Sequence, residues 1–371
     1  MNFESPPISA YFSDNYQQGR QYFLDKCAAR NIPVHSFPHP EHKGPCGEIL
    51  AMDCALVGNK KASKILLLTC GTHGLESAAG AATLLQFLDH DLSQTLPADT
   101  ALLMVHGVNP YGWAYARRGN EDGIDLNRNC LDHAKPYPQN PAYERLHKII
   151  KQAHVDAAGL EEFTKSFAAF AESEGMARAI DGVTAGQYSH PDGMSFGGHA
   201  LSWSWQTLFS IADTYLRHAE KIIHIDWHTG IGDFAEPFFI TDMKKDSAHY
   251  RLAEKWWAPH KIHADDILAG SAPNYTGMLV CGLRDHMAGI SKAEMLSVVI
   301  EWGTYDMLKM LQALLLDDWL KQYGTQDTDL VREARNLLIE RFYPQSPKWR
   351  QNVLRKSLPI YQQTLTALKS W

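Results

Sequence analysis

Several features are scarce in this chain, and each scarcity narrows its role. No apolar run approaches the ~18 residues that would suggest a membrane span, and the first residues, MNFESPPISAYFSDNYQQG, have neither a basic start nor an apolar stretch of the kind that directs export. A basic excess is missing too. Thirty-five Lys and Arg stand against 42 Asp and Glu, for a net charge of −7. Phosphate backbones are held by a positive field, so no nucleic-acid partner is expected. Cysteine is sparse: there are six in 371 residues and no pair spaced C-x-x-C. A chain this long builds its core without staples, so the thiols are expected to stay reduced. No internal repeat, low-complexity tract or linker divides the sequence. These absences predict a cytoplasmic protein, free of membrane, folded as a single domain over 1–371 with a helical C-terminal extension from 305 to 371.

What is present has α/β character. ILLLTC (65–70), ALLMVHGVNP (101–110), KIIHIDW (221–227) and MLSVVIEWGT (295–304) are near-continuous apolar runs, as in strands buried on both faces. GEILAMDCALVG (47–58) alternates like a strand, and EPFFIT (236–241) is a shorter candidate. Helical patterns occupy 11–31, 77–90, 140–180 and most of the chain after Tyr305. The order strand, helix, strand over 65–110 implies a parallel unit. A Gly-, Ser- and aromatic-rich stretch, 186–205, is expected to be a long loop. The tryptophans Trp256, Trp257, Trp302, Trp319 and Trp349 are expected in packing rather than in a binding box.

Polar residues stand where the apolar runs end. LLLTCGTHGLESAAG places His73 and Glu76 just beyond one strand. With 18 histidines, about one H-x-x-E arises by chance, and a helix-start glutamate beside an unrelated histidine accounts for the pair taken alone. Position says more, because ligands of open α/β sheets bind beyond the carboxyl ends of the strands. His228, in IIHIDWHTGIGD, lies at such an end. Two histidines, a glutamate and an open fourth position suit a catalytic zinc ion. Glu301, in SVVIEWGTY, is a carboxylate at another strand end, costly to bury without a purpose. It is either a general base or a partner in a salt bridge. NPYGWAYARRGNEDGIDLNRNC (109–130) carries Arg117, Arg118 and Arg128 among asparagines. It reads as an anion-recognition segment or as a solvated loop. Alternation along HIDWH puts His224, Asp226 and His228 on one face.

Together, H-x-x-E, NP-x-G, R-x-N, G-I-D-L-N-R-N, DWHTG and IEWGT, in this order across about 47–310, resemble the zinc carboxypeptidase superfamily. That superfamily includes carboxypeptidase A-like enzymes, peptidoglycan-trimming carboxypeptidases and the aspartoacylase and succinylglutamate desuccinylase branch, and the segments look most like a bacterial branch of it. The resemblance implies a mixed, mostly parallel eight-stranded sheet with helices on both faces. It implies one zinc ion held by His73, Glu76 and His228, with Glu301 as general base and Arg118 polarising the scissile carbonyl. Asn127 and Arg128 would hold a substrate carboxylate, and Asp125 would orient His73. Asp226 would orient a zinc ligand, with a second metal ion as the alternative. Tyr275 is the candidate for a tyrosine that closes on substrate, with Tyr188 and Tyr305 as competitors. The implied activity is hydrolysis of an amide bond beside a carboxylate, in a peptide or an N-acyl amino acid. A small-molecule deacylase and a non-catalytic metal- or ligand-binding protein are the alternatives, and self-association is left open.

Overall fold

A computed structural model describes residues 7–90, 96–264, 266–268 and 274–371. Residues 1–6, on which the expectation of no export segment partly rests, lie outside the described residues. Eight strands form one sheet: β1 (Val34–Lys43), β2 (Ile49–Gly58), β3 (Lys64–Cys70), β4 (Thr100–His106), β5 (Lys221–Gly230), β6 (Pro237–Ile240), β7 (Ile262–His263) and β8 (Glu294–Gly303). Their spatial order is β1-β2-β4-β3-β5-β8-β6-β7. The centre, β4-β3-β5-β8, is parallel throughout. β1, β2 and β4 pair antiparallel, and β6 runs antiparallel to β8. This is the mixed sheet that the motifs implied.

Among the described residues twelve α-helices accompany it: α1 (Tyr16–Ala29), α2 (Ser77–Asp89), α3 (Pro110–Ala114), α4 (Pro141–Gln152), α5 (Ala157–Glu174), α6 (Met176–Thr184), α7 (Trp203–Tyr215), α8 (Ala248–Trp256), α9 (Leu279–Ile290), α10 (Met307–Tyr323), α11 (Asp329–Phe342) and α12 (Pro347–Ser370). Their starts are written in the sequence. Asn140 and Ser346 cap helices whose first residue is proline, and Ser202 and Asp306 cap α7 and α10.

The central strands are apolar on both faces because helices cover both. Leu66, Leu68, Ile223 and Ile225 face one core with α1, α2, α8 and α12. Ile65, Leu67 and Ile222, their alternating neighbours, face a second core with α7 and α9. A third core lies within the α4–α6 and α10–α11 helices. Trp257, Trp302 and Trp349 are fully buried, as expected. Among the described residues no helix is long and apolar enough to cross a membrane.

Two boundaries differ from the sequence pattern. The apolar run 101–110 stops being a strand at His106, and Asn109 caps α3 instead, accepting from the Gly112 N–H. The long loop expected over 186–205 ends early, because Ser202 starts α7 at Trp203. β1 carries Pro38 and Pro40 and escaped the strand pattern. It sits at the sheet edge, where a missing N–H costs no ladder bond.

Candidate metal centre and its cavity

The site forms where β3, β5 and β8 end. Parallel pairing sets His228 of β5 directly beside Glu301 of β8. Beyond β3 the chain turns through His73 into a short turn of helix, Gly74–Glu76. The Gly74 and Leu75 N–H groups donate to the Arg118 and Arg117 carbonyls. That approach needs a glycine: a Cβ on Gly74 would lie 2.0 Å from the Gly112 carbonyl carbon.

His73, Glu76 and His228 are all buried, and one ligand atom from each lies within 4.8 Å of the others. His73 Nδ1 is 3.0 Å from Glu76 Oε1, and His228 Nδ1 is 3.0 Å from Glu76 Oε2. Each outer nitrogen meets a further carboxylate: His73 Nε2 lies 3.0 Å from Asp125 Oδ1, and His228 Nε2 lies 2.7 Å from Asp226 Oδ2. With a cation bound between them, these outer carboxylates would hold the N–H on Nε2 and leave each Nδ1 lone pair facing inward. A lone pair 3.0 Å from a carboxylate oxygen repels unless positive charge is shared between them. Burial alone would lower the His228 pKa, yet Asp226 and Glu76 hold it well above its ordinary value. Burial would likewise raise Glu76, but His73 and His228 hold it far below the carboxylate range. The pocket is therefore built around a positive charge. Two imidazoles and one carboxylate are a zinc donor set, and the residues fit that ion.

The surrounding carboxylates are held in turn. Thr69 and Thr72 hydroxyls donate to Asp226, with Thr69 Oγ1 at 2.6 Å from Oδ1. Asp226 thus spends its oxygens on His228 and two threonines. Asp125 accepts from the Asn127 N–H at 2.9 Å and from Arg118 Nε at 3.2 Å, besides its contact with His73. Its pKa would rise with burial, but Arg118 and His73 hold it well below the ordinary value. One buried carboxylate thereby joins three of the sequence motifs.

Around this centre lies a cavity of about 330 Å³, lined by His73, Glu76, Arg118, Asn127, Arg128, Tyr275 and Glu301 among others. Arg118 Nη1 lies 3.4 Å from Glu76 Oε1. Glu301 Oε2 accepts from the Ile231 N–H at 3.4 Å. Burial first, and the Glu76 charge second, push the Glu301 carboxyl up to about 7. Asn127 Oδ1 accepts from the Leu279 N–H at 2.7 Å. Arg128 donates through Nε to the Thr184 carbonyl and through Nη1 to the Asn127 carbonyl, and its guanidinium lies 4.4 Å from the Tyr275 ring centre. Burial raises the Tyr275 hydroxyl to about 12. Tyr305 also lines the cavity, whereas Tyr188 sits behind Arg128 and donates to its carbonyl at 2.7 Å.

Sequence reasoning missed the supports. The 186–202 segment braces the D-L-N-R-N motif: Asp125 N–H donates to the Phe196 carbonyl, and Asn129 Nδ2 to the Gly197 and Ala200 carbonyls. Asp317 of α10 accepts from Arg117 Nε at 2.8 Å and from the Arg118 N–H at 3.0 Å. Nothing local marks a helix aspartate as the anchor of a loop 199 positions away. Also missed was the apolar lining, Met307, Met310, Leu311 and Leu314 of α10 and Phe342 of α11. The C-terminal helices, whose place the sequence left open, cover the cleft and, through α12, pack on the sheet.

A family model described as "Protein of unknown function (DUF2817)" matches residues 12–356. No curated protein matches the chain. Among solved structures, the chain is similar to carboxypeptidase A from Helicoverpa armigera, at 11% identity and a TM-score of 0.48, over 90% of this chain and 76% of that one. It is similar to bovine thrombin-activatable fibrinolysis inhibitor, at 11% identity and a TM-score of 0.45, over 95% and 99% of the two chains. It is similar as well to the succinylglutamate desuccinylase from Chromobacterium violaceum, at 16% identity and a TM-score of 0.38, over 87% and 74%.

Proposed function

This chain belongs to the DUF2817 family, and on that premise and the geometry above we propose that it is a zinc-dependent hydrolase cleaving an amide bond close to a substrate carboxylate. The observation that carries the reading is the pair of imidazoles turned inward by outer carboxylates, with Glu301 and Arg118 on the same cavity. A zinc ion on His73 Nδ1, Glu76 and His228 Nδ1 would supply Lewis acidity, making water more acidic and a carbonyl more electrophilic.

The chain's own groups carry the rest. Arg128, braced by Thr184 and stacked on Tyr275, and the side-chain NH₂ of Asn127 bind the substrate carboxylate and fix its distance from the reacting bond. Arg118 is charged, because Asp125 and Glu76 outweigh the effect of burial on its guanidinium. It stabilises the negative charge that develops on the carbonyl oxygen. Glu301 takes a proton from the attacking water and hands it to the departing nitrogen. A carboxyl near 7 is suited to accepting and returning a proton at neutral pH. A protein that only bound a metal or a ligand would have no use for a buried base at that position.

The test combines metal content with turnover. Protein purified without a metal-affinity tag is expected to hold about one zinc per chain and to release amine from N-acyl amino acids or short peptides. The Glu301→Gln protein should keep its zinc and lose turnover by ~10²–10⁴-fold. Wild-type protein that takes up no zinc would sink the reading. Close to two ions per chain would instead call for a second site, at Asp226 or at the His147, His190 and Asp192 cluster.

A further inference from the structure

The cavity has two apolar walls, and they belong to separate hydrophobic clusters. One, with Ile240, Val299 and Tyr275, lies beside Arg128. The other, from α10 and α11, lies beside Glu301: a Cβ placed on Gly230 would find Met310 Cε at 3.4 Å, and Glu301 Oε2 and Phe342 Cε1 each at 3.8 Å. A substrate whose carboxylate rests on Arg128 and whose amide carbonyl reaches Glu301 therefore sends its acyl portion toward the second wall. We propose that this acyl portion is an uncharged, apolar group, so that the substrate is an amino acid N-acylated with an aliphatic or aromatic chain. The inference rests on the hydrolase reading and narrows it.

Two features of the wall support it. First, Met307, Met310 and Leu314 are only partly buried against the helical core behind them. A residue serving only as core would be sealed, whereas these keep surface that lines the cavity. Second, the wall's own side chains, Met307, Met310, Leu311, Leu314 and Phe342, carry no charge to pair with an ammonium group. Among the described residues lining the cavity the acids are Glu76, Glu301 and Asp306. Asp306 is already engaged, accepting from the Lys309 N–H at 3.1 Å as the cap of α10 and pairing with Lys309 Nζ at 2.8 Å. A free α-amino group or a further stretch of peptide main chain would leave water without a partner there. An alkyl or aryl chain loses only apolar contact with water. The wall is also fixed in place, since Asp317 ties α10 to the N–H of Arg118.

The reaction adds one water across the amide C–N bond. The carbonyl carbon gains the oxygen, the nitrogen departs with a proton, and the products are an apolar carboxylic acid and the free amino acid.

Calorimetry on zinc-loaded Glu301→Gln protein tests the pocket apart from turnover. N-acetyl-, N-hexanoyl- and N-octanoyl-leucine are compared with alanyl-leucine, and the same four compounds are given to the wild-type enzyme. Affinity is expected to rise about three- to fourfold per added methylene until the cavity is full, with alanyl-leucine weakest. Met310→Glu should weaken octanoyl-leucine at least tenfold and favour alanyl-leucine. Met310→Leu should leave the order unchanged, with zinc content reporting the fold of both variants. Affinity independent of chain length, or alanyl-leucine bound as tightly as the hexanoyl compound, overturns the inference. Dipeptide turnover with no chain-length effect overturns it while the hydrolase reading stands. The expected binding order without any wild-type turnover supports the pocket and sinks the hydrolase.

Discussion

Asp125 does not line the cavity of the metal centre, yet His73, Arg118 and the Asn127 backbone all converge on it. On the proposed mechanism its charge would keep the inner nitrogen of His73 free for the metal. Asp125→Asn preserves the shape and removes that charge. Zinc affinity is expected to fall 10- to 100-fold, measured by competition with a chelator, and unchanged affinity would separate this carboxylate from the metal. His73→Ala should hold no zinc in the same assay. On the proposed mechanism, Glu301 sets the pH dependence. Its carboxyl is raised by burial and by Glu76, and it must be ionised to accept a proton, so kcat/KM should rise with pH. A bound cation draws the value back toward the ordinary ~4.3. The acid limb is therefore expected between ~4.3 and about 7. A flat profile across that range would remove Glu301 from proton transfer.

At the scale of the elements, the turn after β3 is limited by backbone contact with α3. Gly74→Ala would press a methyl into the Gly112 backbone, and neither partner has a side chain to move aside. Loss of zinc binding with a lowered melting temperature is expected, and an unchanged zinc titration would show that the turn can shift. The link between α4 and α10 has its own signature. Lys151 Nζ lies 3.0 Å from Asp318 Oδ2, while Asp318 Oδ1 is buried without a partner. Burial raises the Asp318 carboxyl to about 6 despite the lysine. A raised carboxyl binds its proton more tightly in the folded state. Its contribution is therefore present below the unfolded value of ~3.9 and lost as pH rises through about 6. Asp318→Asn should flatten the fall in melting temperature between pH 4 and 7, and an unaltered slope would assign that fall to other groups. What was legible in the sequence follows the same division. Strands buried on both faces announce themselves as apolar runs, and the polar residues sharing one face of a strand can be counted off by alternation, as His224, Asp226 and His228 were. β1 hid because an edge strand tolerates proline and faces water. β7 has two residues, too few for any period.

For the molecule as a whole, the C-terminal helices are part of the cavity's architecture. Met310 and Phe342 wall the cavity, and Trp349, Val353 and Tyr361 of α12 are fully buried against the sheet. A chain cut after Thr304 would expose that core, and it is expected to lose cooperative thermal unfolding along with zinc. A truncated chain that melted sharply and kept its metal would show the helices to be dispensable. These contacts were illegible for a plain reason. An amphipathic stripe records that a helix is covered and not what covers it, so the pairing of Asp317 with Arg117 could come only from the folded chain.

Glu76 and His228 stand 152 positions apart in the chain and 3.0 Å apart in space. β3 and β5 bring them together, and until those strands pair, the proposed zinc site lacks one of its three residues. The site is thus completed late, and only by a correctly threaded sheet. Zinc held there as proposed would draw population from every open form by mass action, so withholding the metal should leave more of the chain open to proteolysis.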